Sequence, residues 1–192
     1  MNVLLIDNYD SFTYMLRDQI EQCASSCIVI RNDAYSLMEM DLNKFDALVI
    51  SPGPQKPDDA GMLKPLLVKW VQHKPVLGIC LGHQALGEIF GAKLEKAILP
   101  RHGKVDEMKH NGNVLFDKIP ENFYATRYHS LVLVNLPDEL ELTCLCKTEI
   151  MGFAHKTLPV WGLQFHPESC QTEFGLELLK NFFIQVKKIA HS

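Results

Sequence analysis

Two short segments of this chain carry residue types that could do chemistry together. The first is Gly78-Ile79-Cys80-Leu81-Gly82, which follows an apolar run and precedes a helical one. A glycine-flanked nucleophile at a strand-to-helix junction forms an elbow, a strained turn that lifts the central side chain clear of the sheet. Cysteine suits the place, because the positive end of the following helix stabilises its thiolate. The backbone N–H of Leu81 is then free to face an oxyanion. Alone, the pattern fits a core cysteine between two packing glycines equally well.

The second segment is "WGLQFHPES" at 161–169. His166 and Glu168 are two apart, so on an extended segment both side chains project to one side. Pro167 between them disfavours a helix. A carboxylate next to an imidazole fixes its tautomer and stabilises the imidazolium, and an imidazole beside a thiol generates thiolate. Alone, the segment reads more simply as a strand-end histidine with a solvated glutamate. Both segments, however, close core strands, and in open parallel sheets sites form at the carboxyl ends of strands. Together they read as a Cys80–His166–Glu168 triad.

The elements that must hold these residues follow from the apolar pattern. "NVLLID" (2–7), "CIVIR" (27–31), "FDALVIS" (45–51) and "PVLGIC" (75–80) are strand runs. Between them lie helical stretches: 11–23, with Ser11 as N-cap and Phe12, Met15, Leu16, Ile20 and Cys23 on one face; 60–73; and 81–91, ended by Gly91. Continuous apolar strands alternating with helices predict an open, mostly parallel α/β sheet covered by helices on both faces. Beyond residue 92 short alternating runs, "NVLF" (113–116) among them, predict antiparallel strands added to that sheet. The segment 175–189 closes as an amphipathic helix. With no repeat or linker, residues 1–192 read as a single domain.

The bulk properties exclude several functions. The net charge of −4 gives no pull towards nucleic acid or anionic membrane. No run is long and apolar enough to span a bilayer, and the start lacks the features of a signal peptide, so a cytoplasmic location is expected. The six cysteines supply no C-x-x-C pair or other metal-ligand spacing. Most of them read as small buried hydrophobes, and Cys144 and Cys146 share one strand face.

"GICLGHQ" followed by "QFHPES" resembles the class I glutamine amidotransferases, whose glutaminase domain uses Cys, His and Glu in that order. "SPGP" at 51–54 and "YHSL" at 128–131 match two further elements of the family. "LLIDNYDSFTYML" and "HGK" at 102–104 resemble the small subunit (component II) of anthranilate synthase and of aminodeoxychorismate (para-aminobenzoate) synthase. The resemblance covers nearly the whole chain. It implies that Cys80 attacks the side-chain amide of L-glutamine, with His166 as proton carrier and Glu168 orienting it. It further implies that Gly53 and Leu81 hold the oxyanion, and that Gln84, Ser130, Leu131 and the Gly53-Pro54-Gln55 loop bind the substrate. Gln84, one helical turn after Cys80, can face the same pocket. Ammonia would pass to a chorismate-binding large subunit (component I) on a separate chain; magnesium is expected there and no cofactor on this one.

Two residues depart from the family pattern. Gln55 stands where "SPGPG" has its second glycine, so a left-handed backbone there would carry a side-chain cost. Asp106 stands where relatives have a small hydroxyl residue, which would change a partner contact on that strand in sign and size. Two other readings compete: the glutaminase subunit of another synthetase, such as GMP synthetase, and a non-enzymatic relative with Cys80 as a redox sensor. The opening "DNYDSFTY" argues against the first. Gln84 and the "HPE" segment stay unexplained under the second.

Overall fold

The computed structural model describes residues 1–191. Its central sheet has nine strands. Five run parallel: β1 (Asn2–Asp7), β2 (Ser26–Arg31), β3 (Ala47–Ile50), β4 (Val76–Ile79) and β11 (Val160–Leu163). β11 then pairs antiparallel with β10 (Glu149–His155), followed by β9 (Leu140–Cys146), β6 (Lys104–His110) and β7 (Asn122–Arg127) at the far edge. β5 (Lys93–Lys96) and β8 (Leu131–Val134) do not join it. They form a two-stranded antiparallel sheet of their own, where the sequence pattern suggested further strands of the main one.

The parallel strands are apolar throughout because both faces are covered. Val3 and Leu5 of β1 share one core cluster with helices α1 (Thr13–Glu21) and α5 (Gly175–Ala190). Leu4 and Ile6 share the other with α2 (Ser36–Glu39), α3 (Leu63–Trp70) and α4 (Leu81–Ile89). Each fully buried Leu or Ile here contributes about 2 kcal/mol relative to exposure. α4 is buried along Leu81–Gly87, with contacts to the main sheet, to α3 and to the β5–β8 pair. That is why "LGHQALG" carries no charge.

Three local expectations are corrected. Ser11 does not cap α1; the Asp7 carboxylate instead accepts from the Tyr9 and Asp10 N–H groups and the Thr13 hydroxyl. Met15 is exposed, and the buried face of α1 is Thr13, Leu16 and Ile20. "NVLF" forms a 3-10 turn over Val114–Phe116, started by the Asn113 side chain accepting from Leu115 N–H. A short polar side chain that bonds its own backbone competes successfully with a strand ladder there.

The fold's decisive act for function is the β4–β11 pairing. Gly78 lies opposite Gly162 and Ile79 opposite Leu163, so the segments leaving the two strands start side by side. Cys80 N–H still donates to the Leu163 carbonyl at 2.8 Å.

Candidate active site

Cys80 sits at φ 50°, ψ −99°, between β4 and α4. A left-handed backbone at a residue with a Cβ is strained, and here that strain turns the thiol out of the sheet. The flanking glycines permit the turn by close approach. A Cβ on Gly78 would lie 2.5 Å from the Gly82 backbone, and one on Gly82 would lie 2.7 Å from the Ile50 side chain.

His166 and Glu168 are both almost fully buried. Their contact, Nδ1 to Oε1, is 2.6 Å. The pair was legible, but not its geometry: Pro167 and Glu168 lie in a turn, with the Ser169 N–H returning to the His166 carbonyl. The turn is tied down by neighbours far off in sequence. His166 N–H donates to the Thr126 carbonyl, the Thr172 hydroxyl to the His166 carbonyl, and Gln19 of α1 to the Glu168 carbonyl. With Nδ1 committed to Glu168, the buried Nε2 makes no hydrogen bond of its own and is left for the Cys80 thiol. Burial pulls the imidazole down, but Cys80 and Glu168 together outweigh it and hold His166 well above its ordinary 6.5. Tyr128 packs edge-on against the ring at 5.0 Å, and Phe12 packs on Tyr128 at 5.7 Å.

The "DNYD" and "SPGP" segments are one unit. Asn8 N–H donates to the Ser51 hydroxyl and its amide to the Ser51 carbonyl, while Asn32 donates to the Asn8 side chain. Gly53 is pressed between Asn8 and Leu81; a Cβ there would lie 2.6 Å from one and 2.7 Å from the other. The two residues expected to stabilise an oxyanion are therefore neighbours. Gln55 keeps the left-handed backbone, at φ 63°, despite its side chain, and is exposed. Its glycine-like conformation costs roughly 1–2 kcal/mol, which the clamped loop sustains.

Gln84 is buried, and its amide nitrogen contacts the Leu131 carbonyl and the Gln164 oxygen, each at 3.1 Å. Only its oxygen is left to meet a substrate, so Gln84 can accept from an N–H but not donate. Ser130 is exposed beside it, its carbonyl taken by Ala97 N–H. Asp106 is compensated within its own chain. Its carboxylate pairs with Arg127 at 3.1 Å and with Arg101 at 3.0 Å. Gln164, Arg127 and His129 escaped the sequence reading. The signal for Gln164 was a polar residue at the end of the apolar run "VWGL", which the adjacent histidine overshadowed.

Cys144 and Cys146 are buried on one strand face, and all six cysteines are free. Among the described residues no group of three or more His, Cys, Asp or Glu could hold a metal ion.

A nucleophile elbow on a mixed α/β sheet, facing a His–Glu pair from the segment that follows the neighbouring strand, is the arrangement of a thiol amidohydrolase. The family model "Glutamine amidotransferase class-I" matches residues 4–186, and the chain belongs to that family. Its relatives include anthranilate synthase component 2 of Thermus thermophilus, 44% identical over 95% of this chain and 91% of that one. Aminodeoxychorismate synthase component 2 of Escherichia coli is 43% identical over 94% and 98%. Aminodeoxychorismate/anthranilate synthase component 2 of Bacillus subtilis is 40% identical over 97% of each. Among solved structures, a putative GMP synthase subunit from Thermoplasma acidophilum superposes with a TM-score of 0.89 at 26% identity, covering 100% of this chain and 96% of that one.

Proposed function

We propose that this chain is the glutaminase component of a chorismate-aminating synthase. It hydrolyses L-glutamine and passes ammonia to a chorismate-binding large subunit, which makes anthranilate or 4-amino-4-deoxychorismate. The observation that carries the chemistry is Cys80 on its strained elbow, paired across β4 and β11 with the His166–Glu168 contact. The Cys80 thiolate attacks the side-chain carbonyl carbon of glutamine. The oxyanion is met by the N–H groups of Gly53 and Leu81, each such donor being worth about 3 kcal/mol. His166 carries the proton to the departing ammonia, then takes one from the water that cleaves the thioester to glutamate. Glu168 keeps the imidazole in register through both steps. Gln84, with only its carbonyl free, accepts from the substrate's ammonium, and Ser130, Leu131 and the 53–55 loop complete the pocket.

The partner reading rests on relatives that carry the name component 2 at 40–44% identity. The GMP synthase likeness is at 26% and supports the fold more than the acceptor. Magnesium belongs to the partner's chemistry in this reading. No helix among the described residues is long and apolar enough to cross a membrane. Six free thiols suit a reducing cytoplasm.

Cys80→Ser tests the reading. With the large subunit present, glutamine-dependent synthesis should be lost and ammonia-dependent synthesis retained, and the product formed by the unmodified pair identifies the acceptor. Equal loss of both activities would make Cys80 structural.

A further inference from the structure

Gln164 is completely buried, has no role in the mechanism above, and touches the reacting atom: its amide nitrogen lies 3.6 Å from Cys80 Sγ. The amide's orientation decides what this contact does, and the neighbours fix it. The Leu131 carbonyl can only accept, so the Gln84 atom 3.1 Å from it is nitrogen. That same nitrogen also faces Gln164 at 3.1 Å, so Gln164 must present its oxygen there and its NH2 to the sulfur.

The same Leu131 carbonyl is anchored from its other side. The Arg127 guanidinium is buried, is held by Asp106 and Glu149, and can only donate; its Nε meets His129 Nε2 at 3.0 Å. His129 must accept there, so its proton is on Nδ1, which donates to the Leu131 carbonyl at 3.0 Å. Burial and the Arg127 charge pull His129 down to about 3, so it stays neutral with this tautomer. The Leu131 carbonyl is thus pinned from one side by a histidine that cannot turn round, and from the other by Gln84.

We propose that Gln164 is a catalytic residue of this site: its amide donates to the Cys80 sulfur and stabilises the thiolate, in a direction imposed through Gln84 by the Arg127–His129–Leu131 anchor. A buried neutral donor suits this position, because it favours the anion without competing with His166 for the proton. The inference rests on the glutaminase reading only for what the thiolate is used to do. The donation itself can be tested without turnover.

The experiment is alkylation of Cys80 in the full chain by iodoacetamide across pH, with the Cys80 peptide quantified by mass spectrometry so that exposed Cys170 does not interfere. Besides Gln164, the titratable groups bearing on Cys80 are His166, with Glu168 and Asp10 behind it; His83 and His129, both pulled down to about 3, stay neutral. Gln164→Leu, which removes the donor, and Gln164→Glu, which replaces it with an acceptor, should both move the alkylation midpoint up. Below that midpoint labelling should slow by about tenfold, the scale of one lost hydrogen bond to an anion. A profile unchanged in Gln164→Leu would overturn the proposal. Should both variants fail to fold, side-chain amide NMR of the unmodified chain decides: the Gln164 NH2 should shift over the same pH range as Cys80 reactivity, and a static signal refutes the donation. A chain that shows these shifts but releases no glutamate from glutamine keeps the donation and sinks the glutaminase reading. An active glutaminase with no shift does the reverse.

Discussion

Cys80 stores strain where the proposed reaction needs it. Its φ of 50° and ψ of −99° belong to a region open to glycine and costly to any residue with a Cβ, by roughly 1–3 kcal/mol. The rest of the fold sustains that conformation because it aims the thiol at His166. Stability and activity should therefore part company at this one residue. Cys80→Gly and Cys80→Ala both remove the nucleophile, and both should be inactive. The glycine variant should nevertheless be the more stable of the two by about 1 kcal/mol, since it alone relaxes the turn, although it loses more chain entropy on folding. Urea unfolding of the two variants at one pH checks this. An alanine variant as stable as the glycine one would mean that the elbow is not strained.

At the scale of elements, β1–β4 and the longer helices α1, α3 and α4 were legible from their apolar pattern and terminators, with the β4 and α4 bounds at the elbow; the single turn of α2 is too short to show a period. The His166–Glu168 contact was legible too, since an imidazole and a carboxylate two apart after a core strand are unusual. What the sequence could not show is neighbourhood in the sheet. That β4 pairs with β11 depends on which strands close a core from opposite ends of the chain, and no local pattern encodes it. Hence Gln164 was passed over, as were Arg127 and His129, whose chain of contacts ends on the Leu131 carbonyl. Helix α4 carries a further consequence. His83 is fully buried against Phe153, and burial, outweighing the neighbouring Gly162 backbone, pulls it down to about 3. The unfolded chain takes up this proton near pH 6.5 and the folded chain does not. Stability is thus unaffected above that pH and is lost progressively as pH falls from 6.5 towards 3. Between pH 7 and pH 5 this one residue should cost about 2 kcal/mol. His83→Leu should remove that increment of acid sensitivity, seen as a smaller drop in the urea midpoint between the two pH values. An unchanged drop would show that His83 is protonated inside the fold.

At the scale of the whole molecule, ring contacts link the far edge of the sheet to His166. The connection from β5 to β6 carries the "HGK" turn, where His102 packs edge-on against Tyr128 at 5.5 Å, and Tyr128 packs on His166. On the proposed reading, hydrolysis without an acceptor would waste glutamine, so a synthase gains by holding the free glutaminase slightly out of geometry. A displacement of about 1 Å at a catalytic group can cost on the order of 100-fold, and association need supply no more than that correction. Lys104 stands at the start of β6, exposed, next to this turn and outside the catalytic contacts. Surface charges of this kind govern how fast and how tightly a partner docks, and they leave the chemistry alone. Lys104→Glu should therefore leave the isolated chain's glutaminase rate unchanged. It should raise the large-subunit concentration needed for half-maximal activation, and added salt should narrow its difference from the unmodified chain, because the repulsion it introduces is screened. Titrating the large subunit into both forms at two ionic strengths measures all three quantities. Superimposable activation curves would place the docking surface elsewhere, and a changed basal rate would show that Lys104 supports the site itself.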